Sequence, residues 1–219
     1  MGDNTAADKT YPVPVSGIGA NTVVDLAGGF NHSAVVLSNG TVWAWGYNGY
    51  GQLGNGTVAN SLVPVAMSGI STAVEVETGD LHTLIRMSDG TLRACGYNGI
   101  GALGDGTTTN RATPVVCSGA VGATYIGTFY RTSSYIGADA DVVCSTGDNG
   151  NGQIGDETYI NKTVFTCVDL TPAVISLSVS NGRIAEGYQH TAAIRTDGTL
   201  WCWGYNGYGQ FGNGTTTSS

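Results

Sequence analysis

The chain has 219 residues, of which 35 are glycine, and only 11% are charged. Sixteen acidic residues against eight basic ones give a net charge of −8 without a lysine or arginine cluster, which removes the driving force for binding nucleic acid or anionic membranes. No stretch approaches the roughly 20 apolar residues of a membrane span, and the opening sequence MGDNTAADKT lacks the basic and apolar regions of a signal peptide. Composition therefore predicts turn-rich β structure without a nucleic-acid or membrane partner.

A glycine-rich sequence occurs four times along the chain. Its copies start 50, 51 and 57 residues apart, and they are GYNGYGQLGNGT from Gly46, GYNGIGALGDGT from Gly96, GDNGNGQIGDET from Gly147 and GYNGYGQFGNGT from Gly204. Self-similarity at this period indicates a solenoid, a propeller or another stacked array. We therefore expect residues 1–219 to form a single repeat array.

Each repeat contains the pattern of four β-strands. In the first unit the runs VVDLAGG, SAVVL and TVWAW precede the glycine-rich sequence, and LVPVAM follows it. The second and third runs are joined by Asn39-Gly40, which recurs as Asp89-Gly90 and Asp197-Gly198 and favours a type I′ hairpin turn. Apolar residues alternate with period two and no window supports a helix. The predicted fold class is all-β, with propeller blades of four antiparallel strands.

The repeat predicts where each blade begins and ends. The expected blades are 21–70 for blade 1, 71–121 for blade 2, 122–170 for the degenerate blade 3, and 171–219 for blade 4. Residues 2–18 match the landmarks of residues 104–119, which end blade 2, whereas blade 4 lacks a final strand of its own. Residues 2–18 are therefore predicted to be a permuted final strand, a possible clasp on a sheet edge. A complete small ring, part of a larger propeller and half of a dimeric ring all remain open.

One position of the first strand is apolar in every unit. We expect its residues to face the core between blades, and they are Leu26, Val76, Tyr125 and Ile184. First strands line the central channel of a propeller, so Asp25, Glu75 and Glu77 predict an acidic, solvated channel wall rather than an ion site.

These repeats resemble a known family. The sequence AGGFNHSAVVLSNGTVWAWGYNGYGQLGNGT followed by VPV is similar to the repeat of the regulator of chromosome condensation family, and the match covers nearly the whole chain, with blade 3 the most divergent. The resemblance implies a β-propeller, typically of seven blades, that serves as a non-enzymatic protein-binding scaffold without a cofactor. One relative is a nucleotide exchange factor that works through a wedge inserted in a blade. No such insertion is visible here, so exchange activity is not carried over.

The resemblance leaves the partner and the assembly open. Four units, where the family usually has seven, imply either self-association into a larger ring or origin in a longer protein. A second hypothesis is carbohydrate or receptor adhesion, as part of a phage or bacterial surface protein, because the surface is rich in Thr, Asn and Gly and poor in lysine. The compartment is not determined by the sequence, although an extracellular or virion surface is compatible with it.

Repeated side chains form two candidate sets. His32, His82 and His190 share a G-x-x-H-[ST] position, which we expect Arg131 to fill in blade 3. Their recurrence indicates structural positions, like those of Gly46, Gly96, Gly147 and Gly204, and not a metal or catalytic site. The candidate binding surface consists of tyrosines in the glycine-rich loops, namely Tyr47, Tyr50, Tyr97, Tyr205 and Tyr208. The alternative is that each ring covers the glycines of its own loop or the adjacent blade.

Five cysteines cannot all pair within one chain. In a fixed antiparallel register at most one of the pairs Cys95–Cys117 and Cys144–Cys167 can be directly opposed. We therefore expect buried free thiols.

Overall fold

A computed structural model describes residues 2–19, 21–138, 142–170, 183–187, 189–194 and 197–218. These residues form β-strands and contain no helix, and none of them could therefore cross a membrane as a helix. The strands are β1 (Val23–Gly28), β2 (His32–Leu37), β3 (Val42–Gly46), β4 (Ser61–Ala66), β5 (Ala73–Thr78), β6 (His82–Met87), β7 (Leu92–Gly96), β8 (Arg111–Val116), β9 (Tyr125–Phe129), β10 (Thr132–Ile136), β11 (Val142–Gly147), β12 (Lys162–Asp169), β13 (Arg183–Glu186), β14 (His190–Ile194) and β15 (Leu200–Gly204).

The strands form four antiparallel sheets, one for each repeat. Blades 1, 2 and 3 are the four-stranded sheets β1–β4, β5–β8 and β9–β12, with each strand beside its neighbour in sequence, and blade 4 is the three-stranded sheet β13–β15. The all-β fold of four-stranded blades predicted from the repeat is confirmed for the first three units.

The hairpin turns follow the sequence, but their type differs from the prediction. Gly40 has a positive φ of 76°, whereas Asn39 does not, so the turn is not type I′. The Asn39 Oδ1 atom instead accepts hydrogen bonds from the Thr41 backbone N–H at 3.1 Å and from the Thr41 hydroxyl at 2.7 Å. This side-chain turn holds the hairpin, so only the glycine must enter the left-handed region.

Apolar cores lie between successive blades. Val36 and Val42 of blade 1 cluster with Val76 of blade 2, and equivalent clusters join blades 2 and 3 and blades 3 and 4. Val76 is 1% exposed and Ile184 is 4% exposed, as expected. The expectation for Leu26 is wrong, because its side chain is 72% exposed. It lies on the face of blade 1 that points away from blade 2, and no sheet of the described residues packs there.

Residues 2–18 lie against blade 1 in the manner of a blade end. The Ser16 N–H donates to the Gly2 carbonyl at 2.9 Å, and the equivalent bond at the end of blade 1 joins Ser68 to Gly54, also at 2.9 Å. Gly2 also contacts the ring of Trp45, since a Cβ built there would lie 3.0 Å from the indole nitrogen. The segment pairs with no sheet in the described residues.

The cysteines divide into a disulfide and free thiols. Cys144 and Cys167 are opposed in the β11–β12 register and form a disulfide, with their Cα atoms 3.9 Å apart. The expectation of free thiols is therefore wrong for this pair, because the β11–β12 register brings its two positions opposite each other. Cys95 and Cys117 are buried and free, and burial raises the pKa of the Cys95 thiol to about 12.

Candidate functional site

Each glycine-rich loop is built around one buried asparagine. In blade 2, Asn98 is fully buried and its Oδ1 atom accepts a hydrogen bond from the Leu103 backbone N–H at 3.0 Å. Its Nδ2 atom donates to the carbonyls of Thr107 at 3.0 Å and Thr109 at 3.2 Å. The same pattern recurs around the equivalent asparagines, which are Asn48, Asn149 and Asn206. These hydrogen bonds from the buried asparagine fix the loop backbone, and they therefore fix the positions from which the loop side chains project.

In blades 1, 2 and 4 the first tyrosine of the glycine-rich loop lies over a glycine of the same loop. A Cβ added to Gly49 would lie 2.2 Å from the Tyr47 hydroxyl oxygen, and one added to Gly99 would lie 2.4 Å from that of Tyr97. Tyr205 covers Gly207 in the same way. These contacts correspond to the structural alternative, in which each ring covers its own loop.

The tyrosines of blades 1 and 2 also contact each other. The rings of Tyr47 and Tyr50 lie edge to face with centroids 6.3 Å apart, and those of Tyr50 and Tyr97 with centroids 5.3 Å apart. The guanidinium carbon of Arg131 lies 5.1 Å from the centroid of Tyr97 and 4.8 Å from that of Tyr130. We call these five side chains the aromatic row. It runs from blade 1 to blade 3 without interruption, at distances typical of aromatic and cation–π contacts.

The remaining two candidate tyrosines are separate from this row. Tyr205 and Tyr208 pair edge to face in blade 4 with centroids 6.1 Å apart, and Tyr208 is 88% exposed. In the blade 3 loop, Asp148 and Asn151 stand where blade 1 has Tyr47 and Tyr50. The structure thus brings together three of the five predicted tyrosines and leaves the other two as a pair of their own.

The position assigned to Arg131 from the sequence is wrong. Thr132 pairs with Gly147 in blade 3, as His82 pairs with Gly96 in blade 2, so Thr132 occupies the histidine position. Arg131 lies one residue earlier and its side chain joins the aromatic row instead. Blade 3 lacks the glycine and histidine that mark this turn, so the sequence offers no landmark for alignment there.

Tyr130 and Arg131 are the members of the row that the sequence did not suggest. Both lie in the turn between β9 and β10, and Tyr130 occupies the position of Phe30, which is 78% exposed in blade 1. The sequence carries an aromatic residue at this turn position in three of the four units, Phe30, Tyr130 and Tyr188, and this was the available signal.

Two of the three histidines, His32 and His82, join neighbouring blades. His82 is fully buried and its Nε2 atom lies 2.9 Å from the hydroxyl of Ser133, which itself donates to the Ala102 carbonyl at 2.8 Å. His32 and Thr83 repeat this arrangement one blade earlier at 2.9 Å. Since the hydroxyl proton is directed at the carbonyl, the imidazole must donate from Nε2. Burial lowers the pKa of His32 to about 4 and, with the nearby charge of His32, that of His82 to about 3.

Acidic side chains meet on the first strands of blades 1 and 2. Asp25 accepts a hydrogen bond from the Val76 backbone N–H at 2.8 Å, and Glu75 forms an ion pair with Arg86. Burial, together with Asp25 and Glu75, raises the pKa of Glu77 to about 7. The described residues contain no group of three or more His, Cys, Asp or Glu side chains arranged to hold a metal ion.

Comparison with known proteins identifies the repeat. The family model of the regulator of chromosome condensation (RCC1) repeat matches residues 39–85, and a second model of the same repeat matches residues 23–52, 73–101 and 183–210. Yeast RCC1 (Prp20), solved bound to Kap60, superposes with a TM-score of 0.77 at 19% identity, covering 95% of this chain and 49% of that chain. Human WBSCR16 gives a TM-score of 0.76 at 22% identity, covering 89% of this chain and 51% of that one.

A further structure is that of Prp20p from Saccharomyces cerevisiae, which is described with its binding to Gsp1p and histones. It superposes with a TM-score of 0.75 at 20% identity, covering 93% of this chain and 50% of that chain. The chain therefore spans about half the length of these structures. At such identities the likeness establishes the propeller fold alone.

Proposed function

This chain is an RCC1-repeat protein with β-propeller blades, and we propose that it is a non-enzymatic scaffold that binds a protein partner through the aromatic row. The observation that carries the proposal is the unbroken contact between Tyr47, Tyr50, Tyr97, Arg131 and Tyr130 across three blades. A loop that served only its own blade would not need a side chain from the next blade to continue the row.

The composition and rigidity of the row suit a protein interface. Tyrosine and arginine are enriched among the residues that contribute most to binding, because they offer large contact areas at a small entropic cost. The glycine contacts under Tyr47 and Tyr97 hold these rings in place before any partner arrives. Tyr47 is 36% exposed, so the row is accessible at its blade 1 end.

Arg131 indicates the chemistry of the partner. The chain carries a net charge of −8, and Arg131 forms no ion pair among the residues that the structure describes. Its charge is stacked on Tyr97 and Tyr130, and no carboxylate of the described ranges forms an ion pair with it. The row therefore fits a partner surface that presents an acidic side chain beside an apolar one.

Similar solved proteins support a binding role. Yeast RCC1 has been solved with Kap60 bound, and its histone and Gsp1p binding is described. These partners belong to the yeast protein, and nucleotide exchange is no part of the proposal. The burial of His32 and His82 and the lack of a metal-type cluster in the described residues offer no support for catalysis.

The proposal is tested by comparing captured partners across variants. The tagged chain, Tyr50→Ala, Arg131→Ala and the control Tyr159→Ala are used for affinity capture from the producing cells, with quantitative mass spectrometry as the readout. Tyr159 is 67% exposed and lies outside the row. We expect a protein retained by the wild type and the control to fall at least ~10-fold with both row variants, the usual effect of removing a hot-spot residue.

Two results would contradict the proposal. One is equal capture by the wild type and both row variants. The other is binding to an immobilised glycan array, lost in Tyr50→Ala, without any captured protein, which would favour carbohydrate adhesion instead.

A further inference from the structure

The two ends of the blade array carry complementary, unfinished surfaces. In the described residues blade 4 is a three-stranded sheet, and residues 2–18 make the contacts of a blade end but pair with no sheet. We propose that two copies of this chain join head to tail, so that residues 2–18 of each copy supply the outer strand for β13–β15 of the other. This inference does not depend on the proposed binding through the aromatic row.

Residues 2–18 are already folded as the missing piece. Asp3 pairs with Lys9 at 3.5 Å, as Asp105 pairs with Arg111 at 2.7 Å where blade 2 ends. The Asn4 N–H donates to the Leu62 carbonyl of blade 1 at 3.2 Å. The equivalent bonds inside the array run from the Gly56 N–H to the Ala112 carbonyl and from the Gly106 N–H to the Thr163 carbonyl, both at 2.8 Å. The segment therefore sits on blade 1 as the end of a preceding blade would, and it pairs with no sheet among the residues that the structure describes.

The apolar faces at the two ends match the buried faces inside the array. Leu26 is 72% exposed where the equivalent Val76 is 1% exposed. On blade 4, Leu200 is 66% exposed, whereas the equivalent Val42 is fully buried against blade 2. A junction between the blade 4 face and the blade 1 face of another copy would bury both leucines in a core like those between blades 1, 2 and 3.

Polar groups at the two ends are complementary as well. Inside the array the histidines of blades 1 and 2 bond to Thr83 and Ser133 of the following blade. His190 of blade 4 has no such partner among the described residues, and Ser33 occupies the hydroxyl position in blade 1. Blade 4 against blade 1 of a second copy places His190 beside Ser33 of that copy.

One chain does not satisfy these surfaces by itself. The Leu26 face and the Leu200 face are both exposed in the same chain, so its four blades do not bring them together. A second copy offers both faces in the order required, and two identical head-to-tail junctions close a ring with two-fold symmetry.

The mass in solution gives the first test. Light scattering on the chain should return twice the 22.4 kDa of a single copy. Leu26→Asp and Leu200→Asp should each lower the dimer fraction at least ~10-fold, because each buries a charge at both junctions, whereas the control Val121→Asp, at a side chain 71% exposed in a loop, should not. A mass of 22.4 kDa for the wild type overturns the proposal.

Mixing the variants tests the head-to-tail arrangement. A Leu26→Asp copy and a Leu200→Asp copy together retain one junction in which neither face is altered. Their mixture should therefore recover dimer that neither variant forms alone. No recovery on mixing overturns the head-to-tail junction.

Cross-linking identifies which chain supplies the strand. The double variant Pro14→Cys with Trp201→Cys places thiols at the positions equivalent to Cys167 and Cys144, which form the native disulfide of blade 3. Oxidation should produce a covalent dimer that the Pro14→Cys single variant does not form. A disulfide within one chain would show four-blade closure and overturn the proposal.

Discussion

Replacing His82 by threonine should flatten the acid dependence of stability. The substitution introduces the residue that blade 3 carries at this position, Thr132. The His82 imidazole is fully buried, and its pKa is lowered to about 3 from an ordinary value of 6.5. Below pH 6.5 the unfolded chain therefore binds a proton that the folded chain does not. Stability from this group is complete above pH 6.5 and is lost as the pH falls towards 3.

The size of the effect follows from the shift. At 1.36 kcal/mol per pKa unit, the loss from His82 alone is about 3 kcal/mol between pH 6.5 and pH 4.5. At pH 7.5 the variant should be less stable than the wild type by about 2–4 kcal/mol, because it loses the bond to Ser133 and leaves space in the core. The two stability curves should therefore approach each other as the solution is acidified.

Urea denaturation at pH 7.5, 6.5, 5.5 and 4.5 measures both curves, with the free energy of unfolding extrapolated to water. The quantity compared is the difference between wild type and variant. Glu77 has a pKa raised to about 7, so its contribution is present at low pH and lost as the pH rises through 7, in the opposite sense to His82. Since Glu77 is present in both proteins, its contribution cancels in the difference. A difference that stays constant from pH 7.5 to 4.5 would refute the buried, neutral imidazole.

Two further predictions concern the backbone and the disulfide. Gly96→Ala should lower the unfolding free energy by about 3 kcal/mol or more, since φ is +107° and the new Cβ would lie 2.5 Å from the Leu81 carbonyl oxygen. Gly69→Ala, with a φ of +70° and nothing within 4 Å, should cost only about 1 kcal/mol, and equal losses in urea melts would contradict the close contact. Joint replacement of Cys144 and Cys167 by serine should cost about 3 kcal/mol, because their bond closes a loop across a separation of 23 residues. Native alkylation of both wild-type thiols would contradict that pairing.

The repeat made the blades predictable because units of similar sequence form similar strands and turns. Alternating apolar residues and the Asn-Gly or Asp-Gly turns predict hairpins without knowledge of the neighbours. A fixed antiparallel register allows at most one of the two candidate cysteine pairs to be directly opposed, and the structure shows that this pair is Cys144 with Cys167. The sequence does not show which pair is opposed, since that depends on which residues of the third and fourth strands face each other.

Alignment failed where a unit had lost its landmarks. The β9–β10 turn of blade 3 lacks the Gly and His that the equivalent β1–β2 turn of blade 1 contains. The sequence therefore predicts Arg131 at the position that Thr132 occupies. In a strand a slip of one residue moves a side chain to the opposite face. With Arg131 assigned to the histidine position, the sequence does not predict its contacts with Tyr97 and Tyr130, which continue the tyrosine contacts onto blade 3.

Leu26 exposes a different limit of reasoning from repeats. Its sequence position is equivalent to that of Val76, yet one side chain is 72% exposed and the other 1%. The position of a residue within its repeat determines the face of the sheet on which it lies. Whether that face is buried depends on the adjacent blade, which the sequence of the repeat does not specify. A blade face that packs on another blade needs a large apolar side chain at this position, whereas a face exposed to solvent does not. The exposed Leu26 therefore supports the proposed packing of blade 4 of a second copy against blade 1, with residues 2–18 adding the outer strand to that blade 4.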